Sequence, residues 1–547
     1  MIVDTTTFLL GFGAIFSGLA FHQAILPHEI DFRLKSLSLG YLASFLSLFY
    51  LLIRLSIPSP LLLTSLTFLL VNFTLTLSIL THRLFFHRLH NFPGPFLAKV
   101  TKWYSVYLSV KNYQHYKEVE KLHQRYGDFV RTGPREISIR KVEALLEIYG
   151  AKSGCWKATN YGMNSDDPKG SLHLSRGKTL HTHRRKAWDR AFSISALSSY
   201  SSSVSSLTSL LISQLRSQNG AAVDATAWSN YFSFDIMGII GFGKSWGMLE
   251  TGEYHDAIKK LHESMFILAV LWQTPWVIRG LDMIPGAARA MKGFRGWCKE
   301  QMEEKQKALK DEKFDGKPRN VMEWLLTDEF TMSLPTEAIN DDSRLVIIAG
   351  SDTISAALAH AIYLMIKNPG VYMKLQRLLD KEFPGGDADF DYTLLSDVPF
   401  LDGIINETLR LKPSVPGGLT RITPKEGITI DGTHIPGDVI VSVPIHSIHR
   451  DPRYFSQPLE FIPERWTSES PELVKDKRAF VPFSMGSQVC VAKGLAMMEL
   501  RMALARIALA FDLEFEDGET GRRIEEEVRD TFTLTMPRMG VRFLPRD

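Results

Sequence analysis

The sequence predicts a mainly helical protein in which a membrane region precedes one large globular domain. Three stretches within residues 1–82 contain no Asp, Glu, Lys or Arg, and each has about the 17 to 25 residues that cross a bilayer. Further along, Leu345–Met365 and Val491–Ala510 combine helix-forming composition with apolar residues at helical spacing. No long linker, repeat or low-complexity tract interrupts the sequence after residue 96, so the remainder is predicted to form one unit.

The three charge-free stretches are Thr5–Leu26, Ser36–Ile53 and Leu61–Leu80. The last is rich in Leu, Ile, Val and Phe, and it is the strongest candidate for insertion. The first lacks a basic leader and follows Asp4, which argues against a cleaved signal peptide. We expect one to three transmembrane helices in residues 1–82. In the alternative, the first two stretches lie on the membrane or pack against a partner.

Four basic residues follow the last stretch closely: Arg83, Arg88, Lys99 and Lys102. Because cytoplasmic segments carry the excess of Lys and Arg, the region after residue 82 is predicted to face the cytosol. One span or three would then leave Met1 in the lumen, whereas two would not. Residues 83–96 are predicted to be a basic, proline-rich hinge, and residues 97–547 the catalytic domain.

Composition and charge exclude two classes of protein. The formal net charge of the 547 residues is only +3, which gives nucleic-acid binding no electrostatic basis. The chain has three cysteines, Cys155, Cys298 and Cys490. So few cysteines argue against a disulfide framework and favour a reducing compartment.

The segment Phe483–Cys490 is the most informative part of the sequence, because it places a cysteine after a glycine-bearing loop and before a predicted helix. A helix N-terminus lowers the pKa of a thiol, so Cys490 is predicted to be a thiolate that can bind a haem iron. Gly486 would let the loop backbone approach a flat ligand, and Phe483 would pack near that ligand. An isolated cysteine is more often a small buried hydrophobe.

This segment resembles the haem-binding loop of the cytochrome P450 family, Phe-x-x-Gly-x-Arg-x-Cys-x-Gly, in the form found in microsomal, fungal-type monooxygenases. The resemblance extends over about residues 90 to 547 and implies the P450 fold, mainly α-helical with small β-sheets. It also implies haem b (heme b) as the cofactor, with Cys490 as the axial ligand of the iron. Two positions differ from the family pattern: Gln488 replaces an arginine that binds a haem propionate, and Ala492 replaces a glycine.

A second resemblance lies in Glu407-Thr408-Leu409-Arg410 and in the downstream Pro463-Glu464-Arg465-Trp466. Glu407 and Arg410 are spaced to share one face of the predicted helix Phe400–Leu411. Alone, such a pair is usually a solvated surface salt bridge. The family likeness implies that Arg465 joins Glu407 and Arg410 in a buried structural triad behind the haem loop.

The third resemblance is Ala349-Gly350-Ser351-Asp352-Thr353, within the apolar stretch Leu345–Met365. A hydroxyl in mid-helix usually bonds to the preceding turn, but a buried carboxylate beside it needs a partner. The family likeness implies that Asp352 and Thr353 line the oxygen pocket as catalytic residues. Thr353 would hydrogen-bond dioxygen, Asp352 would relay protons, and Gly350 would leave room for the oxygen.

Two arginines are candidates for binding the haem propionates. Counting back from Phe192-Ser193, Arg185 falls where the family places a propionate-binding cation in a Trp-x-x-x-Arg helix, and His181 takes the Trp position. A planar guanidinium suits a carboxylate well. Arg421, after the Glu407 helix, is the second candidate. The alternative for Arg185 is a solvated basic helix.

One match supports a different class of protein. Residues 238–245, Gly-Ile-Ile-Gly-Phe-Gly-Lys-Ser, fit the phosphate-loop pattern GxxxxGK[ST]. A true phosphate loop follows a buried strand and opens a helix. Here Trp228–Ile240 is predicted to be an amphipathic helix, which disfavours a P-loop nucleotide-binding membrane protein.

The sequence therefore predicts a haem-thiolate monooxygenase of the endoplasmic reticulum membrane, with its catalytic domain in the cytosol. No flavin or nicotinamide module is visible, so NADPH-cytochrome P450 reductase is the expected electron donor, with cytochrome b5 as a candidate second partner. A thiolate-haem isomerase, dehydratase or peroxygenase is the alternative. The substrate is expected to be a hydrophobic small molecule, a lipid or a secondary metabolite. It would contact segments 155–175, 232–284, 347–354, 414–420 and 532–535.

Overall fold

The structure is a computed structural model that describes residues 2–163, 167–281, 284–311 and 316–546. Its amino-terminal region consists of three helices, α1 (Ile2–Ile25), α2 (Leu34–Arg54) and α3 (Pro60–Thr81). A π-helical turn, His82–Phe86, continues α3. All three helices are long and apolar enough to cross a membrane, and their large apolar side chains are mostly exposed. Their bounds differ by no more than about three residues from those expected from the sequence.

The three amino-terminal helices form a bundle with an up-down-up arrangement. The His22 ring of α1 lies 2.7 Å from the Ser78 hydroxyl of α3, so the carboxyl ends of these two helices lie together. Tyr41 of α2 accepts a hydrogen bond from Asn72 of α3 at 2.6 Å, and further along α2 the Phe45 ring contacts Phe68. Residue numbers thus rise along α2 as they fall along α3, so these two helices are antiparallel.

The segment after the bundle is packed against the catalytic domain. The Pro93 carbonyl accepts a hydrogen bond from the backbone N–H of Arg131 at 2.7 Å, and Leu89 is fully buried. Gly94 has φ +159°, and a side chain there would clash with the Arg131 carbonyl. The proline-rich segment is therefore fixed on the domain surface by backbone contacts.

The first part of the catalytic domain contains short helices and three strands: α4 (Phe96–Val100), α5 (Trp103–Asn112), α6 (His115–Tyr126), β1 (Phe129–Gly133), β2 (Glu136–Ile139), α7 (Glu143–Tyr149) and β3 (Trp156–Lys157). The following part is almost entirely helical: α8 (Lys178–Ala191), α9 (Ile194–Ser217), β4 (Ala222–Asp224), α10 (Ala225–Phe242), α11 (Met248–Thr251), α12 (Asp256–Leu271), α13 (Pro275–Leu281), α14 (Arg289–Asp311), α15 (Val321–Leu326), α16 (Glu329–Met332), α17 (Thr336–Lys367), α18 (Pro369–Glu382) and α19 (Pro399–Leu411).

The last part returns to the sheets: β5 (Arg421–Ile422), β6 (Ile428–Ile430), β7 (Thr433–Ile435), β8 (Ile440–Ser442), α20 (Ile445–Ile448), α21 (Lys493–Ala510), β9 (Phe511–Phe515), α22 (Arg522–Glu526), β10 (Arg529–Thr531), β11 (Thr533–Thr535) and β12 (Gly540–Pro545). Short 3₁₀ turns lie at Thr159–Gly162, Gly386–Asp389, Tyr392–Asp397, Pro463–Trp466, Pro471–Leu473, Lys477–Ala479 and Gly486–Gln488.

The sheets are small and lie at the edges of the helical core. The largest has the strand order β1-β2-β8-β5-β3, in which only β2 and β8 are parallel. A three-stranded antiparallel sheet has the order β4-β12-β9, and β6-β7 and β10-β11 are hairpin pairs. The predicted fold class, mainly α-helical with small β-sheets after amino-terminal apolar helices, is confirmed.

Helix α17 is the centre of the core. It is also long and apolar enough to cross a membrane, but 72% of its most apolar window is buried inside the domain. Glycines let α10 approach it closely, because a side chain at Gly241 would meet Val346 and one at Gly350 would meet Met237. Helices α19 and α21 pack on its other sides, so α17 crosses the domain as one wall of an internal cavity.

Candidate active site

An internal cavity of about 390 Å³ separates α17 from the loop that precedes α21. Cys490 lies on one side of the cavity and Thr353 of α17 also lines it. Most of the remaining lining is apolar and includes Met163, Met237 and Met265. A concave, mainly apolar space with a few polar groups is typical of a site for a cofactor or small molecule.

Cys490 faces this cavity while the rest of the protein shields it from bulk solvent. Its backbone N–H donates to the Phe483 carbonyl at 2.9 Å, which closes the loop. Helix α21 begins at Lys493, three residues after the cysteine, and not at Val491 as predicted. Burial raises the pKa of the Cys490 thiol and outweighs the opposing effects of the Ala492 N–H, Arg185 and Lys493. The expected lowering of the thiol pKa is therefore wrong for the protein alone. Coordination to a metal would itself deprotonate the thiol.

Gly486 has a different role from the one predicted. Its φ is +70°, a conformation that favours glycine, and a side chain there would collide with the backbone of Tyr149, Gly150 and Ala151. Gly486 thus allows the cysteine loop to pack against the end of α7. The group that approaches the glycine closely is the protein backbone and not a ligand. Phe483 lines the cavity, with the Lys493 ammonium 5.7 Å from its ring centre.

Arg185 and Arg421 both line the cavity. Arg185 donates to the Val489 carbonyl at 2.8 Å and to the Asp189 carboxylate at 2.7 Å, so α8 is tied to the cysteine loop. Arg421 is 3% exposed and donates to the Thr420 carbonyl at 2.9 Å. Among the residues that the structure describes, no carboxylate forms an ion pair with Arg421, and a buried cation of this kind needs an anion.

The structure adds a residue that the sequence analysis missed. Lys157 is 4% exposed, lines the cavity, and lies directly opposite Arg421 in the pairing of β3 with β5. Its ammonium donates to the Leu172 carbonyl at 2.9 Å. Burial, followed by the charge of Arg421, lowers the pKa of Lys157 well below its usual value. Like charges directly opposite on paired strands are destabilising, so this arrangement favours binding of an anion between them.

His181 and Gln488 complete the polar side of the cavity. Burial, with the nearby cations, lowers the pKa of His181 to about 3, so this ring adds no charge. The Gln488 Oε1 atom is buried and has no hydrogen-bond partner among the described residues. A buried amide in this state is incomplete without a further group in the cavity. The basic side chains of Lys157, Arg185 and Arg421 therefore fit a cofactor that carries carboxylates, as haem does, whereas the Gln488 oxygen needs a hydrogen-bond donor.

The two residues predicted to activate oxygen occupy different positions. Thr353 lines the cavity, and its hydroxyl donates to the Ala349 carbonyl at 2.9 Å. Asp352 is not among the residues that line the cavity. Its Oδ1 lies 3.5 Å from His262 Nε2 of α12, on the other side of α17. The role of Asp352 in oxygen activation stays a prediction, and the structure shows its carboxylate directed toward α12. Gly350 does line the cavity, but the space beside its Cα is taken by the Met237 side chain.

Glu407, Arg410 and Arg465 lie together with fully buried side chains. Arg410 donates to both oxygens of Glu407 at 2.8 Å, and Arg465 donates to Oε1 at 2.9 Å. Trp466 also donates to Glu407, at 2.9 Å, a contact that the sequence analysis did not identify. Two cations and an indole N–H thus surround one carboxylate between α19 and the turn Pro463–Trp466.

Glu499 of α21 is a second residue that the sequence analysis missed. It lines the cavity, is 1% exposed, and its Oε2 has no hydrogen-bond partner among the described residues. Burial raises the pKa of this carboxyl well above its usual value. Its only sequence signal is that it is the single acid in the helical run Val491–Ala510.

The phosphate-loop match has the wrong geometry. Residues 238–242 end helix α10, and Gly243 terminates it in a left-handed conformation. A helix C-terminus presents carbonyl oxygens, which repel phosphate. Lys244 pairs instead with Glu304 at 2.8 Å on the surface. The structure contradicts the nucleotide-binding alternative at this segment.

A helical domain in which a cysteine faces an apolar cavity, opposite a long central helix and beside buried basic side chains, is typical of haem-thiolate proteins. The family model for cytochrome P450 matches residues 95–543. The chain belongs to the cytochrome P450 family, and a haem iron is the cofactor of that family.

Curated relatives agree with this assignment. The chain is 38% identical over 476 residues to the cytochrome P450 monooxygenase FCK2 of Fusarium pseudograminearum (strain CS3096), covering 86% of this chain and 85% of the relative. It is also 38% identical to the cytochrome P450 monooxygenase orf5 of Eupenicillium brefeldianum, covering 86% and 94%. It is 33% identical to the tryprostatin B 6-hydroxylase of Aspergillus fumigatus, covering 85% and 82%. The protein is accordingly a cytochrome P450 monooxygenase similar to fungal enzymes.

Proposed function

We propose that the protein binds haem b and inserts one oxygen atom from dioxygen into an apolar small molecule. Its electrons would come from NADPH through a separate cytochrome P450 reductase, with cytochrome b5 as a candidate second donor. The observation that supports this proposal best is the position of Cys490, shielded from bulk solvent and facing the same closed cavity as Thr353.

The chain's own residues would hold the cofactor at two places. Cys490 would bind the iron, and Lys157, Arg185 and Arg421 would bind the two propionates. When bound, the haem supplies the activation of dioxygen, which an axial thiolate directs toward O–O cleavage. Arg185 also donates a hydrogen bond to the carbonyl of Val489, next to Cys490. This residue would therefore link the propionate-binding site to the loop that carries the iron ligand.

Protons would reach the cavity through α17. The Thr353 hydroxyl is held at the cavity wall by the Ala349 carbonyl and can accept or donate a proton there. Asp352, one residue earlier, holds its carboxylate toward His262, whose side chain is 26% exposed. We propose that His262 and Asp352 collect protons on the outer face of α17 and that Thr353 positions them on the inner face.

An isomerase, dehydratase or peroxygenase would need neither a reductase nor this proton route. The hydroxyl on the cavity wall and the acid behind it are the features that favour reductive oxygen activation. The substrate is proposed to be hydrophobic, because the cavity lining consists mostly of aliphatic and aromatic side chains. The names of the fungal relatives make a secondary metabolite the preferred class.

We propose that the protein resides in the endoplasmic reticulum membrane with its catalytic domain in the cytosol. The basic residues after α3 favour this orientation. Because α1 and α3 are parallel, three spans place the carboxyl ends of both helices on the cytosolic side. Segment 83–96 would then hold the domain close to the bilayer.

Two measurements test this function. The reduced, CO-treated protein should show the Soret band of a thiolate-ligated haem. With a compatible reductase, NADPH and isotopically labelled dioxygen, the product of a fungal metabolite extract should gain one labelled oxygen. Turnover that needs no reductase, or label incorporation from water only, would instead support the isomerase, dehydratase or peroxygenase alternative.

A further inference from the structure

The loop between α1 and α2 lies on the catalytic domain. Glu29 in this loop receives two hydrogen bonds from the Arg176 guanidinium, each 3.0 Å long. A two-pronged contact between a guanidinium and a carboxylate fixes orientation as well as distance. Both side chains are partly buried, with 31% and 26% exposure, so the pair is better shielded than a typical surface salt bridge.

Phe32 supplies the second contact of this loop. Its ring lies so close to Gly162 that a side chain at this glycine would clash with it. The Arg279 guanidinium lies over the ring at 4.3 Å and donates to the Gly162 carbonyl at 2.6 Å through Nη2. Phe32 is therefore held between the turn Thr159–Gly162 and α13.

These same two segments carry part of the cavity wall. Tyr161 precedes Gly162, and Trp272 precedes α13, and both line the cavity. Asn160 donates to the Trp272 carbonyl at 3.1 Å, which ties the segments together. With His173 and Phe532 the two rings form a closed cycle of contacts. The centres lie 5.2 Å apart for Tyr161 and His173, 5.3 Å for His173 and Phe532, 4.8 Å for Phe532 and Trp272, and 6.0 Å for Trp272 and Tyr161.

The ring cycle has a strained member. Phe532, at the tip of the β10-β11 hairpin, has φ +83°, which is rare for a bulky side chain. Such strain persists where the surroundings hold the residue, and it concentrates at functional sites. We call this cycle of four rings the aromatic wall. Its members come from four separate segments of the chain, and the α1–α2 loop contacts the segments that carry Tyr161 and Trp272.

We propose that Glu29 and Phe32 are positioning residues of the substrate site, through which the membrane region fixes the aromatic wall and controls access to the cavity. This inference rests on the proposed haem function. The parallel arrangement of α1 and α3 is consistent with it, because three spans bring the α1–α2 loop to the same side of the membrane as the catalytic domain.

The first test measures access to the iron with two azoles of different size in the full-length, membrane-bound holoenzyme. Ketoconazole must pass the aromatic wall, whereas imidazole is small. In stopped-flow spectra, Phe32→Ala and Glu29→Gln should bind ketoconazole several-fold faster than the parent, because the wall is no longer held. Imidazole binding should not change. His28→Ala, an exposed position in the same loop, is the matched control and should behave as the parent.

The second test asks whether the Glu29–Arg176 contact carries the effect. Glu29→Arg and Arg176→Glu should each bind ketoconazole several-fold faster than the parent, and the double exchange Glu29→Arg with Arg176→Glu should restore the parent's ketoconazole rate. Unchanged ketoconazole rates in both Phe32→Ala and Glu29→Gln, with a normal CO spectrum, would overturn this inference alone. Absence of the CO band from the parent would instead overturn the proposed function. Failure of the double exchange to restore the rate would exclude Glu29 and Arg176 as the contact.

Discussion

Lys157 and Arg421 lie directly opposite each other on the antiparallel strands β3 and β5, and both side chains are buried against the cavity. Neither has a carboxylate ion-pair partner among the described residues. Two buried cations in this position oppose each other unless an anion lies between them. We therefore regard this pair as the main binding site for a haem propionate.

Lys157→Met tests this interpretation. Methionine keeps the apolar length of the side chain but removes the charge-assisted hydrogen bond to the propionate, which is worth about 1.5–3 kcal/mol. Haem transfer to apomyoglobin should therefore be roughly ten- to a hundredfold faster than from the parent. Lys152→Met, at an exposed position in the preceding turn, should transfer haem at the parent's rate. Equal rates in Lys157→Met and the parent would exclude Lys157 from the propionate site.

Gln488→Arg addresses the position at which the sequence differs from the family pattern. An arginine would replace an amide whose carbonyl oxygen has no partner and would add a charge-assisted bond of about 1.5–3 kcal/mol to a propionate. Haem loss should become slower in the same transfer assay. If haem is lost faster, the three existing cations already satisfy the propionates and a fourth is repelled, which would assign binding to Lys157, Arg185 and Arg421.

The cysteine loop Phe483–Cys490 and the ion pair of Glu407 with Arg410 could be identified from the sequence, because each lies within a short contiguous motif. Lys157 could not, because its meaning comes from its cross-strand pairing with Arg421, far away in the chain. The close neighbours of Gly486 and Gly350 are likewise far away in the sequence. Gly486 and Gly350 were assigned to ligand and oxygen contacts, but the close neighbours that require glycine are the Tyr149 backbone and the Met237 side chain.

The surroundings of the Asp352 side chain on α17 could not be predicted from the sequence either, because they depend on tertiary structure. Sequence places Asp352 beside Thr353, but neighbouring helix positions differ by about 100° around the axis, so the two side chains face different surroundings. Only the packing of α12 shows that His262 is the partner of Asp352. The pKa of Cys490 differs from the sequence prediction for a related reason, because burial depends on the whole domain whereas the helix end is a local feature.

Thr353→Ala and Asp352→Asn separate oxygen activation from haem binding. Neither residue contacts Cys490, so both variants should keep the CO spectrum and the substrate-induced spectral shift. Turnover should fall by roughly 10²–10⁴-fold, the effect typical of losing a positioned proton-transfer group. The NADPH consumed should appear as hydrogen peroxide. Unchanged product per NADPH in both variants would favour the isomerase or peroxygenase alternative.

Glu407→Gln tests the buried triad. It leaves Arg410 and Arg465 without their counter-ion in a fully buried site, and breaking such a pair costs about 3–5 kcal/mol. We expect a clear drop in the thermal denaturation midpoint and poor haem incorporation. Glu526→Gln, which removes an exposed pair with Arg522, should leave the denaturation midpoint close to that of the parent. Equal stability of the two variants would contradict a structural role for the triad.

Cys490→Ala tests the central claim most directly, through the CO difference spectrum of the reduced, membrane-bound protein. The variant should lose the Soret band of the thiolate-ligated haem but still pellet with membranes, because Cys490 is not part of the amino-terminal apolar helices. Cys155→Ala and Cys298→Ser, which remove the two other buried cysteines, should keep the band. Loss of the band in Cys490→Ala alone is the predicted result. A normal thiolate band in that variant would show that another residue binds the iron.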